Sequence, residues 1–173
     1  PEELKYLSLI ESGLEPKALS NKGAGGLWQF MPYTARGDFG MRVDSFVDER
    51  FDVEKATEAA CKYLGQLYRI FGDWHLALAA YNTGPGNVKR AIRKCGKSDF
   101  WDIYNCLPKQ TRAYVPQFIA MNYMMNYNWD HAIHAQLGSC DTCGKISSGY
   151  SFRYGTRQRI FEFGFNESFS YDL

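Results

Sequence analysis

The sequence lacks a clear excess of charge, a long apolar run and any internal repeat. Its 173 residues carry 20 Lys and Arg against 19 Asp and Glu, a formal net charge of +1. This balance provides no basic stripe and argues against nucleic acid as a partner. No window holds the roughly 18 uninterrupted apolar residues that a membrane-spanning helix needs. What remains is a chain long enough for one domain with a sizeable core.

The cysteines and the start of the chain give less information. Five cysteines cannot all pair within one molecule, so they leave the redox compartment open. The chain begins at "PEELKY" without a methionine or an apolar leader, and we expect a fragment or a mature product. Zinc-ligand side chains occur in "HAIH" and "CDTC", but their spacing is not that of a standard finger. We expect a local disulfide or free thiols there, with no metal site and no cofactor; the four residues are His131, His134, Cys140 and Cys143.

Apolar residues at helical spacing are abundant between residues 2 and 127, so we expect a mainly α fold. Capping residues place the ends of several helices. An opening helix is predicted to end near Gly13, and a second to lie within "LWQFMPYTAR". A long helix follows between Asp52 and Gly72, and two shorter ones are predicted at "WHLALAAYN", after Asp73, and at "NVKRAIRK". The last runs from Lys109 to Tyr127, with a kink or restart at Pro116.

The character of the sequence changes after Asn128. The segment becomes rich in Gly and Ser and loses its helical period. In "RIFEFGF" the aromatic residues Phe161, Phe163 and Phe165 alternate, which predicts a short strand. We therefore divide the chain into a helical domain, 1–129, and a C-terminal appendage or truncated further module, 130–173, with possible β structure.

One carboxylate stands in an apolar stripe. In "LKYLSLIESGLEP", the positions three or four apart are Leu4, Leu7, Glu11 and Leu14. Glu11 is either a solvent-facing glutamate on an imperfect stripe, or a partly buried carboxyl whose pKa is raised enough for general acid catalysis. The periodicity of the helix is compatible with both.

Three further segments add weight to the second interpretation. The glycines of "SNKGAGGLWQFM" let the backbone approach another group closely. "AAYNTGPG" places a tyrosine and an asparagine at a helix end, and "LPKQTRAYVP" offers Arg112 and Tyr114 near a helix start. Each segment is a weak signal by itself.

Together, "ESGLEPKALSNKGAGGLWQFMP", "ALAAYNTGPGNVKRAI" and "LPKQTRAYVPQFIA" resemble the family 1 lytic transglycosylases, most of all their membrane-bound D type. The resemblance covers roughly residues 2–128, with the motifs in the family's order. It implies a lysozyme-like helical domain with a saccharide groove. It also implies cleavage of the MurNAc-β-1,4-GlcNAc bond of peptidoglycan without water, which leaves a 1,6-anhydromuramoyl end. The implied location is the periplasm or cell envelope, with any membrane anchor outside this fragment.

The family's functional residues carry over to matching positions. The resemblance implies that Glu11 is the catalytic acid. Trp28 replaces the family's usual methionine, and Gln110 stands where the family has a glutamate. The residues implied to bind peptidoglycan glycan strands are Ser20, Gln29, Met31, Tyr81, Asn82 and Tyr114.

No second acid has a comparable setting in the sequence. The acidic residues of the polar connecting stretch are expected to lie in a solvated loop, and they are Asp38, Asp44, Asp48 and Glu49. Most glycosidases need two carboxylates. With one, the nucleophile must come from the substrate, which agrees with the chemistry that the resemblance implies.

Two other functions stay open from the sequence. A goose-type lysozyme or chitinase would hydrolyse the same kind of bond, and a wall-binding domain would have lost catalysis. The presence together of Glu11, Gln29, Tyr81 and Asn82 argues against the inactive domain. The sequence leaves the oligomeric state open.

Overall fold

A computed structural model of the chain describes residues 1–131, together with the backbone of residues 134–135 and 152–153. Contacts within the chain define two compact units, Pro1–Met121 and Asn122–Leu173. The first unit holds all the predicted site residues, and its elements are helical. The mainly α prediction is thus confirmed. The helices are α1 Leu7–Ser12, α2 Pro32–Phe39, α3 Val53–Phe71, α4 Trp74–Thr83, α5 Pro85–Cys95, α6 Phe100–Ile103 and α7 Lys109–Tyr127, with 3₁₀ turns at Glu2–Tyr6, Glu49–Phe51 and Tyr104–Cys106.

Helix α1 ends where its sequence predicts, but the apolar stripe is shorter than predicted. Leu7 is fully buried. Gly13 stops the helix in the left-handed region, at φ 62°. Leu14 follows with φ 65° and is 48% exposed, so the stripe prediction is wrong at this residue. Because the chain turns at Gly13, helical spacing no longer applies to the next residue.

The second helix begins later than predicted. The first half of "LWQFMPYTAR" lies outside it, and α2 starts only at Pro32, which occupies the first helical turn. Backbone hydrogen bonds between Gly25 and Phe30, of 3.0 and 3.1 Å, hold the preceding residues in a tight loop. Gln29 has a left-handed backbone at φ 49°, which a helix does not allow. We call residues 18–30 the glycine loop.

Helices α3 and α4 form the centre of the core. Asp52 and Asp73 cap them as predicted, each side chain accepting a backbone N–H from the third residue beyond. Five consecutive residues of α4, Leu76–Ala80, are buried, which marks a helix covered on all sides. Because α4 runs through the core, its last turn delivers Tyr81 and Asn82 from a rigid support.

One covalent cross-link fixes the segment before the last helix. A disulfide between Cys95 and Cys106 ties the end of α5 to the 3₁₀ turn Tyr104–Cys106. Cys61, on α3, is exposed and has no disulfide partner among residues 1–131. Helix α7 has the predicted bounds and runs through Pro116. No helix among the described residues is long and apolar enough to cross a membrane.

In the second unit, the two-residue strands β1 His134–Ala135 and β2 Phe152–Arg153 pair antiparallel. The alternating phenylalanines of "RIFEFGF" lie outside the described residues. The two cysteines of "CDTC" also lie outside the described residues. In "HAIH", the side chain of His131 is described and that of His134 is not.

Candidate active site

Glu11 lies in the last turn of α1 and is partly buried. Tyr114 is buried, with 6% of its surface exposed, and its hydroxyl donates a hydrogen bond to Oε1 of Glu11. Burial raises the pKa of Glu11 to about 7, although the Tyr114 hydrogen bond acts in the opposite direction. Desolvation disfavours the charged carboxylate more than one hydroxyl stabilises it. Near neutral pH this carboxyl is therefore held between its protonated and charged forms.

Tyr81, in the last turn of α4, is near enough to Glu11 for the charge of the carboxylate to act on its hydroxyl. Its hydroxyl donates to the backbone carbonyl of Trp28, with an oxygen–oxygen distance of 2.9 Å. Burial, and after it the negative charge of Glu11, raise the pKa of Tyr81 above its usual value. Tyr81 is consequently a neutral phenol that connects the end of α4 to the glycine loop.

Asn82 and Glu11 are held by the same helix. The Thr111 hydroxyl donates to Oδ1 of Asn82 at 3.0 Å, and Thr111 is 1% exposed. Thr111 and Tyr114 are three residues apart at the start of α7, so they share one face. This face brings the ends of α1 and α4 together. The bond to Thr111 uses the amide oxygen of Asn82, which leaves its amide N–H groups as donors.

Two of the predicted substrate-binding residues shape the glycine loop. Oγ of Ser20 accepts a hydrogen bond from the backbone N–H of Ala24, with a nitrogen–oxygen distance of 2.9 Å. Nε2 of Gln29 donates to the carbonyl oxygens of Ala18 and Gly26, at 3.3 and 2.9 Å. Their side chains thus fix the local backbone. The role that the resemblance implies for them toward a glycan is a further expectation.

The remaining loop residues divide between surface and core. Met31 precedes α2 and is 42% exposed, as a residue that contacts ligand must be. Trp28 is 5% exposed, and its indole N–H donates to Oγ1 of Thr57 at 2.9 Å. Trp28 therefore packs in the core. On α1, buried Ser12 donates to the carbonyl of Leu27 at 2.9 Å, so α1 holds the loop beside Glu11.

Arg50 is the structural residue that the sequence did not reveal. It is 5% exposed and donates to the carbonyl oxygens of Gly23 and Phe30 at 2.6 and 2.9 Å. Two of its nitrogens also bind the carboxylate of Asp48. Gly26, at φ 80°, lies so close that an added Cβ would be 1.8 Å from the Arg50 carbonyl oxygen. The glycines of this loop therefore make room for Arg50 and its backbone.

This arrangement corrects the expectation of a solvated acidic stretch. Asp48 and Glu49 are partly buried and bind Arg50 and Lys55. These ion pairs lower both of their pKa values. Asp44 is exposed, as expected, and its pKa falls to about 2 because Arg42 and two backbone N–H groups stabilise its charge. Among the carboxyl groups of residues 1–131 whose pKa departs from the usual value, Glu11 is the one that is raised.

A mainly helical domain that holds one carboxyl at a raised pKa, between tyrosines from two other helices, fits the lysozyme-like class of proteins. Solved structures of that class agree. The 70 kDa soluble lytic transglycosylase of Escherichia coli superposes with a TM-score of 0.62 at 30% identity, covering 75% of this chain and 22% of that one. The complex of the 70 kDa soluble lytic transglycosylase with bulgecin A superposes with a TM-score of 0.62 at 29% identity, and the match covers 75% of this chain and 22% of that one.

Sequence comparison gives the family. The transglycosylase SLT domain matches residues 1–104. Membrane-bound lytic murein transglycosylase D of Escherichia coli K12 is 41% identical over 127 residues, 70% of this chain and 27% of the relative. The soluble lytic murein transglycosylase of the same strain is 32% identical over 123 residues, which cover 68% of this chain and 19% of the relative. The chain belongs to the transglycosylase SLT family, which confirms the resemblance. It spans about a quarter or less of these relatives' lengths.

Proposed function

We propose that residues 1–129 are the catalytic domain of a peptidoglycan lytic transglycosylase, with 130–173 an appendage or part of a further module. The observation that carries the proposal is Glu11, the one carboxyl of residues 1–131 with a clearly raised pKa, about 7, whose side chain is hydrogen-bonded to Tyr114. A general acid works best when its pKa lies near the working pH. Membership of the SLT family supports a murein strand as the substrate.

The proposed reaction uses one carboxyl in two steps. Protonated Glu11 donates its proton to the glycosidic oxygen as the bond from the muramoyl C1 breaks, which releases the GlcNAc side with a new hydroxyl. The substrate's own 2-acetamido oxygen stabilises C1. The charged Glu11 then takes the proton of the muramoyl 6-hydroxyl, whose oxygen bonds to C1 and closes the 1,6-anhydro ring. Glu11 thereby regains its proton, so the reaction uses no water and needs no second acid.

The surrounding residues support these steps. Neutral Tyr81 adds no charge beside Glu11, and the Tyr114 hydrogen bond stabilises the carboxylate formed after the first step. The free amide donors of Asn82 and the exposed side chain of Met31 are suited to contact the sugar. Ser20 and Gln29 fix the glycine loop beside them.

Product analysis tests this proposal. We expect purified murein strands digested by the protein to release muropeptides with anhydro ends, each lighter by one water than its reducing counterpart. Mass spectrometry distinguishes the two. Reducing ends alone would instead assign a goose-type lysozyme or chitinase, and intact strands would assign a wall-binding domain. The carboxylates of Asp44, Asp48 and Glu49 are each engaged in an ion pair, with Arg42, Arg50 and Lys55, which argues against a free second carboxylate there and so favours the anhydro product.

The pH profile offers a second test through Tyr114. Its hydrogen bond lowers the pKa of Glu11, so Tyr114→Phe should raise that pKa further. Because Glu11 must be protonated to donate, we expect the alkaline limb of kcat/KM to move to higher pH in the variant. Tyr68→Phe, an exposed tyrosine on α3, is the matched control and should leave the limb in place. A limb that stays fixed in both variants would contradict the role of Glu11 as the acid.

The location follows from the substrate and agrees with one covalent feature. Peptidoglycan lies outside the cytoplasmic membrane, so we propose the periplasm or cell envelope. The Cys95–Cys106 disulfide supports this location, since disulfides persist mainly in oxidising compartments.

A further inference from the structure

Apart from the residues around Glu11, the first unit has a concave surface on helix α5. This cleft of about 400 Å³ has two walls. One wall is α5, with Asn87, Arg90 and Lys94, and the other is the segment Asn105–Pro108. We call it the α5 cleft. Its lining holds two cations and two amides and no acidic side chain.

The positive charge of the α5 cleft is local, and no acidic side chain among residues 1–131 pairs with it. Residues 85–98 contain five Lys and Arg and no Asp or Glu, although the whole chain carries a net charge of only +1. Among residues 1–131, Arg90 and Lys94 form no ion pair, whereas Lys97 binds Asp102 at 3.3 Å. A basic last turn complements the helix dipole and so accounts for Lys94, but Arg90 lies a turn earlier.

The two walls are fixed before any ligand binds. The disulfide between Cys95 and Cys106 joins the end of α5 to the opposite wall. At the other end of α5, the Asn87 amide donates to the carbonyl and hydroxyl oxygens of Thr83, at 2.7 and 3.0 Å. Arg90 in turn donates to Oδ1 of Asn87. A preformed cleft loses little entropy when it binds a ligand.

Both walls of the α5 cleft lie close in sequence to residues of the candidate active site. One wall begins five residues after Asn82, and the other ends three residues before Thr111. The hydrogen bond between Asn82 and Thr111 joins these two segments. The candidate site and the cleft therefore share this hydrogen-bonded junction between α4 and α7.

We infer that the α5 cleft binds carboxylates of the peptides that branch from the muramoyl residues of peptidoglycan. This rests on the proposed function, because it takes murein as the substrate. The cations Arg90 and Lys94, with the amide of Asn105 in the same lining, match a carboxylate, and a peptide is the anionic part of murein that is covalently attached next to the cleaved bond. The cleft would thus favour strands that carry peptides over bare glycan.

The inference is tested by binding measurements in the Glu11→Gln background, which holds the strand uncut. We expect Arg90→Gln with Lys94→Gln to raise the Kd for peptide-bearing murein strands by about tenfold, as the loss of two charge contacts should. The matched control, Lys89→Gln with Arg93→Gln, removes the same charge from exposed residues of the same helix that do not line the cleft. It should change Kd much less.

Two probes identify the ligand group. We expect strands whose peptide carboxylates are amidated, and strands stripped of peptide, to bind the parent protein and the cleft variant equally. Equal losses in the two double variants, or an undiminished effect on amidated or stripped strands, would each overturn the inference.

Failure of this inference and failure of the proposed function are distinguishable. If anhydro ends are released while the cleft variant binds like its control, the cleft inference fails and the enzymatic proposal stands. If no anhydro product forms but the cleft variant still loses peptide-dependent binding, the enzymatic proposal fails and the cleft still binds wall peptide.

Discussion

Glu11→Gln is expected to lower kcat by at least about a thousandfold, within the range typical for loss of a general acid, while murein binding persists. Glutamine has nearly the shape of glutamate and can still accept the hydrogen bond of Tyr114 through its amide oxygen. It has no acidic proton to give to the glycosidic oxygen. The substitution therefore removes proton donation and preserves the shape and the Tyr114 hydrogen bond of the site.

The same variant has an expected effect on stability. Burial raises the pKa of Glu11 from 4.5 to about 7, so the folded chain binds this proton more tightly than the unfolded chain. Stability from the protonated carboxyl is complete below about pH 4.5 and is lost as the pH rises through about 7. The loss amounts to about 3 kcal/mol. Above pH 8, Glu11→Gln should thus be more stable than the parent protein.

Turnover is measured by mass spectrometry of released muropeptides, and stability by urea unfolding at pH 4 and pH 8. Glu3→Gln, at an exposed glutamate near the same end of the chain, is the matched control and should change neither quantity. Undiminished lysis by Glu11→Gln would exclude the proposed mechanism. Lost lysis with lost folding at both pH values would show a structural effect instead.

Arg50→Met is expected to destabilise the fold by about 3 kcal/mol, the lower end of the range for breaking a buried ion pair. The change leaves the Asp48 carboxylate without its guanidinium partner and removes the side-chain donor to the carbonyl oxygens of Gly23 and Phe30. The glycine loop should then lose its fixed shape. Because that loop adjoins Glu11 through Ser12, we expect activity to fall even under conditions where the variant remains folded.

Urea unfolding measures this loss, with Arg42→Met as the control. Arg42 also pairs with an aspartate, Asp44, but both side chains are largely exposed, so its loss should change stability far less. Equal effects of the two substitutions would show that Arg50 does not organise the loop.

Local sequence signals predicted the helices that depend on local physics. Asp52 and Gly72 bound α3 because capping and left-handed termination are properties of a few neighbouring residues. The start of α2 was predicted too early because apolar residues of the glycine loop imitate helical spacing. What determines that loop is Arg50, which is 20 and 27 residues from the carbonyl groups it binds.

The site itself could be predicted only by resemblance. Periodicity left Glu11 open between solvent and core, since its hydrogen-bond partner Tyr114 lies 103 residues further along the chain. The bond between Thr111 and Asn82 spans 29 residues and has no local pattern either. Contacts of this kind depend on how helices pack, which a single sequence does not display.

The left-handed backbone at Leu14 and Gln29 has a consequence for protein engineering. These are the two non-glycine residues of the described chain with positive φ, and both are natural targets for a stabilising change to asparagine, which tolerates that conformation. At Leu14, which is exposed, the change relieves strain at little expense. At Gln29 it would give up the hydrogen bonds to Ala18 and Gly26. A thermostable variant should therefore begin at position 14 and leave position 29 unchanged.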